Sequence, residues 1–361
     1  GDEVGINFIN TITESDSLNP VLYTYIYNGA GVGVADINND GLQDIYFAGN
    51  QVSGKLYLNK GNFQFEDITE SAGLETDRWC TGVAMVDINT EGFTDIYICV
   101  ADRNYTEKGR NLLYINNGDN TFTESAKSFG LDDPMYSTQA AFLDYDLDGD
   151  LDLYLLNNGI EDIPPNNTRP IKTNGKGIST DRLYRNNAIE CAGGGLDTAD
   201  CSKPFLNVST NAGITIEGYG LGIAVADFNK DGYPDIYCAN DFITYDLLWI
   251  YNGDGTFSDQ VKSYTGHTTY NGMGIDIADF NNDMLPDIVE MDMLPEDNLH
   301  TKSMLMPMNY DNYQLKLRMG YHPQFVRNTL QLNLGNDNFG EIARMAGVHR
   351  TDWSWAPLFI D

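Results

Sequence analysis

The chain has 361 residues, 42% of them hydrophobic and 12% aromatic, which is ample for a packed core and excludes wholesale disorder. Fifty-three acidic residues against 21 basic ones leave a formal charge of −32, a surface that repels phosphate backbones and anionic headgroups and so excludes nucleic acid as a partner. No stretch approaches the ~18 consecutive apolar residues of a membrane span.

A pattern of about fifty residues recurs from the N-terminus onward, and a period of that size points to propellers or solenoids. The opening segment GINFINTITESDSL resembles the later FQFEDITESAGL and is expected to be a lone strand D. Five units follow. Each begins with a small-residue apolar run, strand A, that enters an aspartate: GVGVAD at Asp36, TGVAMVD at Asp87, TQAAFLD at Asp144, LGIAVAD at Asp227 and MGIDIAD at Asp279. After an acidic turn comes strand B: DIYFA from Asp44, DIYIC from Asp95, DLYLL from Asp152, DIYCA from Asp235 and DIVEM from Asp287. Strands C and D follow, joined by Asn/Gly turns of the hairpin kind in KLYLNKGNFQFEDIT, LLYINNGDNTFTESA, LLWIYNGDGTFSDQV and TLQLNLGNDNFGEIA. The third unit has RLYRNN and PFLNVST in these places. Four short antiparallel strands per unit are the make-up of a propeller blade, so the expected fold is all-β, one propeller domain over 1–361. A sixth strand A, WSWAPLFID, ends at Asp361, and the sequence therefore reads as part of a longer ring.

Each A–B turn offers oxygen ligands at positions 1, 3, 5 and 9 of a nine-residue loop, with a backbone carbonyl at position 7. The first turn supplies Asp36, Asn38, Asp40, Leu42 and Asp44; the second supplies Asp87, Asn89, Glu91, Phe93 and Asp95. The third supplies Asp144, Asp146, Asp148, Asp150 and Asp152, and the fourth Asp227, Asn229, Asp231, Tyr233 and Asp235. The fifth supplies Asp279, Asn281, Asp283, Leu285 and Asp287, but has Met284 where the others have Gly41, Gly92, Gly149 and Gly232. All-oxygen sets without histidine suit Ca²⁺ rather than Zn²⁺. Position 12 is Phe47, Ile98, Leu155 and Cys238 in the first four turns, where an EF-hand needs glutamate; Glu290 stands there in the fifth, without the glycine. Four to five calcium ions, structural in role, are expected.

These residues resemble the FG-GAP or VCBS-type repeat propellers, as in the integrin α-subunit head and many bacterial surface proteins. The resemblance rests on D-x-[DN]-x-[DE]-G-x-x-D followed by an aromatic-rich apolar strand, and spans nearly the entire chain. The run from Tyr27 to Leu74, with MDMLPEDN, is most similar to the large VCBS-repeat proteins of Bacteroidetes. The resemblance implies a seven-bladed ring when complete, calcium in the A–B turns, and a location outside the cell or on its surface, the bacterial outer membrane surface with a lipid anchor on the precursor being one form of this. It implies no reaction.

Function is then sought in the segments that blade construction does not explain, because loops on a rigid scaffold carry most binding sites. Three insertions stand out: 159–180, with Arg169, Lys172 and Lys176; 188–203, with Cys191 and Cys201 read as a local disulfide; and the Met-rich 291–328. Cys80, Cys99 and Cys238 read as buried free thiols. Tyr46, Tyr97, Tyr154 and Tyr237 recur at one place in strand B and are assigned to packing, while Trp353 and Trp355 are candidates for a ring-face contact. The chain lacks HExxH, GxSxG and P-loop motifs. Glu290 and Asp292 are clustered acids outside the turns, expected to be solvated or ion-paired. The expected function is a calcium-binding scaffold for a protein or glycan at the cell surface, and the alternative is a polysaccharide lyase or hydrolase using the axial funnel.

Overall fold

The computed structural model describes residues 2–102, 106–159, 167–193, 201–304 and 309–360. Its chain contacts divide into two compact units, one of residues 1–142 and 184–206, the other of 143–183 and 207–361.

In the first unit, repeats 1 and 2 form four-stranded antiparallel sheets in the order A-B-C-D. Repeat 1 uses Val32–Ala35, Asp44–Phe47, Lys55–Asn59 and Phe65–Asp67; repeat 2 uses Cys80–Val86, Asp95–Val100, Leu112–Asn116 and Phe122–Glu124. The registers match: Tyr57 faces Asp67 across strands C and D, and Tyr114 faces Glu124. Strands A of the two repeats run side by side. A Cβ on Gly31 would lie 2.6 Å from the Thr81 carbonyl oxygen, and one on Gly33 equally close to Met85 Sδ, so the glycines of the strand-A motif permit this approach.

The second unit holds repeat 4, Gly220–Ala226, Asp235–Asn240, Leu247–Tyr251 and Phe257–Asp259, and repeat 5, Ile275–Ala278, Asp287–Glu290, Thr329–Asn333 and Phe339–Glu341, again in the order A-B-C-D. Repeat 3 supplies Tyr136–Leu143, Asp152–Asn158, Arg182–Asn186 and Phe205–Asn207, and the boundary between the units runs through it. The fold is all-β, built from propeller-type blades.

Each unit has its own apolar core. Tyr46, Leu56, Ile96, Ile98 and Val100 centre the first, and Tyr154, Tyr237, Trp249 and Ile288 the second. The four strand-B tyrosines are fully buried, as packing residues should be. Cys80, Cys99 and Cys238 are buried and free, and Cys191 is joined to Cys201.

Three features depart from the sequence-based expectation. The opening segment forms no strand. It lies extended against repeat 1, with Asn7 N–H donating to Tyr57 Oη at 3.3 Å, the Tyr57 hydroxyl donating to Asn7 Oδ1 at 2.8 Å, and Phe8 stacked on Phe47. The WSWAPLF segment also forms no strand. Phe359 instead stacks on Phe280, its N–H donating to Asp276 Oδ2 at 2.6 Å, and Trp353 and Trp355 are about half exposed. Finally, a single helical turn follows strand D, within or just beyond the segments read as strand D, at Thr69–Ala72, Ala126–Phe129, Val261–Tyr264 and Ala343–Ala346. The last residue of strand D anchors the turn: a side-chain oxygen of Asp67, Glu124, Asp259 or Glu341 accepts the N–H two residues on at 2.6–3.1 Å.

Candidate metal centres

Five turns of unrelated filler residues fold alike because two backbone positions in each adopt left-handed conformations. Position 4 is Asn39, Thr90, Leu147, Lys230 or Asn282, with φ between 57° and 61°. Position 6 is Gly41, Gly92, Gly149, Gly232 or Met284, with φ of 86°, 93°, 100°, 93° and 70°. Glycine takes that geometry freely and methionine does not, so the fifth turn holds the same shape under strain.

The first aspartate of each loop organises the bend. Asp36 Oδ1 and Oδ2 accept the N–H groups of Asp40 and Gly41, Asp87 those of Glu91 and Gly92, Asp144 those of Asp148 and Gly149, Asp227 those of Asp231 and Gly232, and Asp279 those of Asp283 and Met284, at 2.7–3.1 Å. At position 3, the side-chain oxygens of Asn38, Asn89, Asn229 and Asn281 accept the N–H of position 5 at 3.0–3.2 Å. The residues chosen for their carbonyls, Leu42, Asp150, Tyr233 and Leu285, are tethered by their N–H groups to Asp40, Asp148, Asp231 and Asp283 at 2.9–3.1 Å. Phe93 holds the same loop position, its ring beside Gly118.

Position 9 is fully buried in all five turns. Asp44, Asp95 and Asp235 each accept the N–H of position 2 (Ile37, Ile88, Phe228) at 3.0 Å and, through the other oxygen, the N–H that closes strand C (Asn59, Asn116, Tyr251) at 2.7–2.9 Å. Asp152 accepts Tyr145 N–H at 3.2 Å, and Asp287 accepts Asn333 N–H at 2.8 Å. Burial pushes Asp95 up to about 6 and Asp235 to about 7, against the lowering effect of the N–H donors, and the other acids of the same turn push in the same direction. Asp44 and Asp287 are raised for the same reasons. A buried carboxylate surrounded by other carboxylates is costly to ionise, and a cation in the loop reverses the sign of that effect. In the third turn the oxygens of Asp144, Asp146 and Asp152 lie within 4.8 Å of one another, a spacing one ion can bridge. That turn differs from the other four in having aspartate rather than asparagine at position 3. The donor set therefore fits a hard cation such as Ca²⁺.

The other end of strand B carries a motif that sequence reasoning missed. The residue just before strand C caps the end of strand B: Asn111 accepts Val100 N–H, Asp181 accepts Asn157 N–H, Asp246 accepts Asn240 N–H and Asn328 accepts Asp292 N–H, at 2.8–2.9 Å. Three of these side chains also meet the strand-B tyrosine of their own repeat: Asn111 Nδ2 donates to Tyr97 Oη at 3.0 Å, Tyr154 donates to Asp181 at 2.7 Å, and Tyr237 to Asp246 at 3.1 Å. Repeat 1 has Gly54 at this place, directly against the Tyr46 hydroxyl, which has no hydrogen-bond partner among the described residues. The signal was an Asn or Asp directly before the apolar strand C in four of the five repeats.

Glu290 and Asp292 are fully buried rather than solvated, contrary to expectation, and neither pairs with a cation among the described residues. Glu290 accepts the Thr269 hydroxyl at 2.8 Å and lies 3.3 Å from the Tyr237 hydroxyl; burial, with Asp246 nearby, holds it well above the usual carboxylate range. Burial also lifts Asp246 and Asp181 to about 7. Asp292 accepts the N–H groups of Tyr270, Asn271 and Arg327 at 2.9–3.2 Å and so fastens both ends of the 291–328 insertion. Within that insertion Met291 is buried and Met319 partly exposed, while Leu305, Met306 and Met308 lie outside the described residues. In the 159–180 insertion Arg169 is not a solvated cation: it pairs with the fully buried Glu217.

Curated relatives are cartilage acidic protein 1 of Xenopus tropicalis, 27% identical over 62% of this chain and 31% of its own length, and that of Homo sapiens, 28% identical over 36% and 20%. The chain thus spans about a third or less of these relatives. Among solved structures, the V. cholerae biofilm matrix protein Bap1 is similar with a TM-score of 0.37 at 13% identity, over 74% of this chain and 35% of that one. The FG-GAP-like repeat model matches residues 36–98, 92–155 and 227–290, about half of the chain and including all five turns. On the repeats, the turns and this match, the chain belongs to the FG-GAP-like repeat family.

Proposed function

We propose that the chain is a calcium-stabilised extracellular scaffold that binds a protein or glycan and carries out no reaction of its own. The observation that carries this reading is the gathering of Asp144, Asp146 and Asp152 in a loop whose backbone is repeated in four other places. Calcium would supply positive charge to loops whose carboxylates otherwise repel one another, with Asp36, Asp87, Asp144, Asp227 and Asp279 holding it at position 1 and the buried position-9 acids behind it. The Cys191–Cys201 disulfide supports an oxidising compartment outside the cytosol. The relatives are named for cartilage and for acidity, and the second trait is shared by this chain. No helix among the described residues is long and apolar enough to cross a membrane. The acids best placed for acid–base chemistry, Asp246, Glu290 and Asp292, are sealed from solvent, which supports a binding role over a catalytic one.

The test is the thermal midpoint of the protein in Ca²⁺ and then in excess chelator, with metal counted by elemental analysis of the same sample. Each site held at a hundredfold above its dissociation constant contributes about 2.7 kcal/mol by linkage. Several ions per chain and a midpoint that falls by more than about 10 °C on chelation are expected. A metal-free protein with an unmoved midpoint would sink the reading.

A further inference from the structure

Repeats 1 and 2 have the same strand registers but differ in how one corner is filled. At the start of strand C, Lys55 in repeat 1 corresponds to Leu112 in repeat 2; two residues on, Tyr57 corresponds to Tyr114; and across strand D, Asp67 corresponds to Glu124. In repeat 1 every polar group of the corner is matched. Lys55 Nζ lies 2.8 Å from Asp67 Oδ2, and the Tyr57 hydroxyl is held by Asn7 of the extended N-terminal segment.

In repeat 2 the equivalent partners are missing. Leucine replaces the lysine, and one oxygen of Glu124 caps the following helical turn through Ala126 N–H while no cation pairs with the carboxylate among the described residues. The same carboxylate position in repeat 5, Glu341, is matched by Arg327 at 2.9 Å. Tyr114 is 5% exposed, and its hydroxyl has no hydrogen-bond partner among the described residues. In place of the missing groups is an open recess of about 490 Å³, lined by Leu112, Tyr114 and Glu124 together with Glu75, Asp77 and Arg78. Asp77 is already paired with Lys108, and Arg78 is turned to the carbonyl oxygen of Arg110. Arg78 keeps its positive charge and acts on Tyr114, and Glu75 interacts with Lys55, so Glu124 is the acid of the recess left without a paired cation among the described residues. The Tyr114 ring is too buried to offer a stacking face to a sugar, so the recess presents carboxylate and phenolic oxygens above an apolar floor.

We propose that this recess receives a lysine or arginine side chain from an extended segment of a basic partner protein, which does for repeat 2 what Lys55 and the Asn7 segment do for repeat 1. The stem of the side chain lies on Leu112 and its charged end meets Glu124 and the Tyr114 oxygen. The whole-chain charge of −32 favours the approach of such a partner from a distance. The assignment rests on the scaffold reading and names the class of partner and where it docks.

The test is the binding of a fluorescein-labelled octalysine peptide to the full calcium-loaded chain, followed by anisotropy at 150 mM salt. Leu112→Lys places the internal cation of repeat 1 into repeat 2 and should weaken binding at least tenfold. Glu124→Gln, which keeps an oxygen for the Ala126 N–H, should do the same. Glu70→Gln changes the net charge by the same single unit at an exposed place outside the recess and should stay within twofold. If Leu112→Lys and Glu124→Gln, with unchanged thermal midpoints, also stay within twofold, the attraction is spread over the acidic surface and the site is overturned. Should one of the two variants fail to fold, the other decides alone. Failure here with calcium still bound and stabilising would leave the scaffold reading standing, so the two are separable.

Discussion

The two ends of strand B follow different rules. At the A–B turn all five repeats use the same two left-handed positions and the same aspartate-to-N–H bonds, although the intervening residues differ from turn to turn. At the B–C end the cap is Gly54, Asn111, Asp181, Asp246 or Asn328, and two of the three insertions, 159–180 and 291–328, lie there. One end repeats because a turn that gathers oxygens tolerates little change of shape. The other varies because a buried hydroxyl can be satisfied by an amide or a carboxyl, or be left unsatisfied, and each choice alters stability and pH response without altering the strand.

The largest expected effect lies at the uniform end, where chelation should cost several kcal/mol in total, as set out above. At the variable end, Asp181 and Asp246, at about 7, and Glu290, also held well above its ordinary value, have folded-state values above the unfolded ones of about 4. The folded protein then binds more protons than the unfolded chain, so the stability these groups confer is complete below about pH 4 and is lost as pH rises through about 7. Denaturant titrations at saturating Ca²⁺ should show that decline, and Asp181→Asn should remove part of it, gaining roughly 2–4 kcal/mol at pH 8 and little at pH 4. A stability that rises between pH 4 and 7 in calcium would contradict the assignment.

Smaller effects separate the repeats from one another. Tyr97→Phe strips the hydroxyl that accepts from Asn111 and donates to the Leu131 carbonyl, and should cost about 1–2 kcal/mol. Tyr46→Phe removes a hydroxyl with no partner among the described residues and should be neutral or slightly stabilising, within about 0.5 kcal/mol. Equal losses for the two would erase the distinction between a glycine and an asparagine cap. Met284→Gly should stabilise the fifth turn by about 0.5–1 kcal/mol, seen as a higher thermal midpoint, because φ of 70° suits glycine and the methionine side chain is exposed.

The strand order and the turn positions could be read from the sequence because both are local and repeated: an alternating apolar run, an Asn/Gly hairpin and a 1-3-5-9 oxygen spacing need no knowledge of distant neighbours. The helical turns after strand D were missed although FEDITESAGL contains their anchor and their terminal glycine, because a single turn has no periodicity to detect. Glu290 and Asp292 were misplaced for a different reason. Their environment is made by Thr269, Tyr237, Tyr270 and Arg327, which come from other elements, and a carboxylate seen alone in a sequence defaults to solvent. The calcium residues were chosen by spacing, and the structure adds what spacing omits: the position-9 acid is first a buried strut between the turn and strand C.

The three free cysteines have a practical use. Burial pushes the Cys80 thiol up to about 12 and also raises the Cys99 and Cys238 thiols well above the ordinary thiol range, so in the folded protein they are silent toward maleimides and iodoacetamides. Leu147 sits at the tip of the third turn, half exposed, at a loop position where the other repeats carry Asn, Thr and Lys. A single cysteine introduced there would be the one thiol a dye could reach, and the molecule would then report optically on events at Asp144, Asp146 and Asp152 with no native residue needing to be masked.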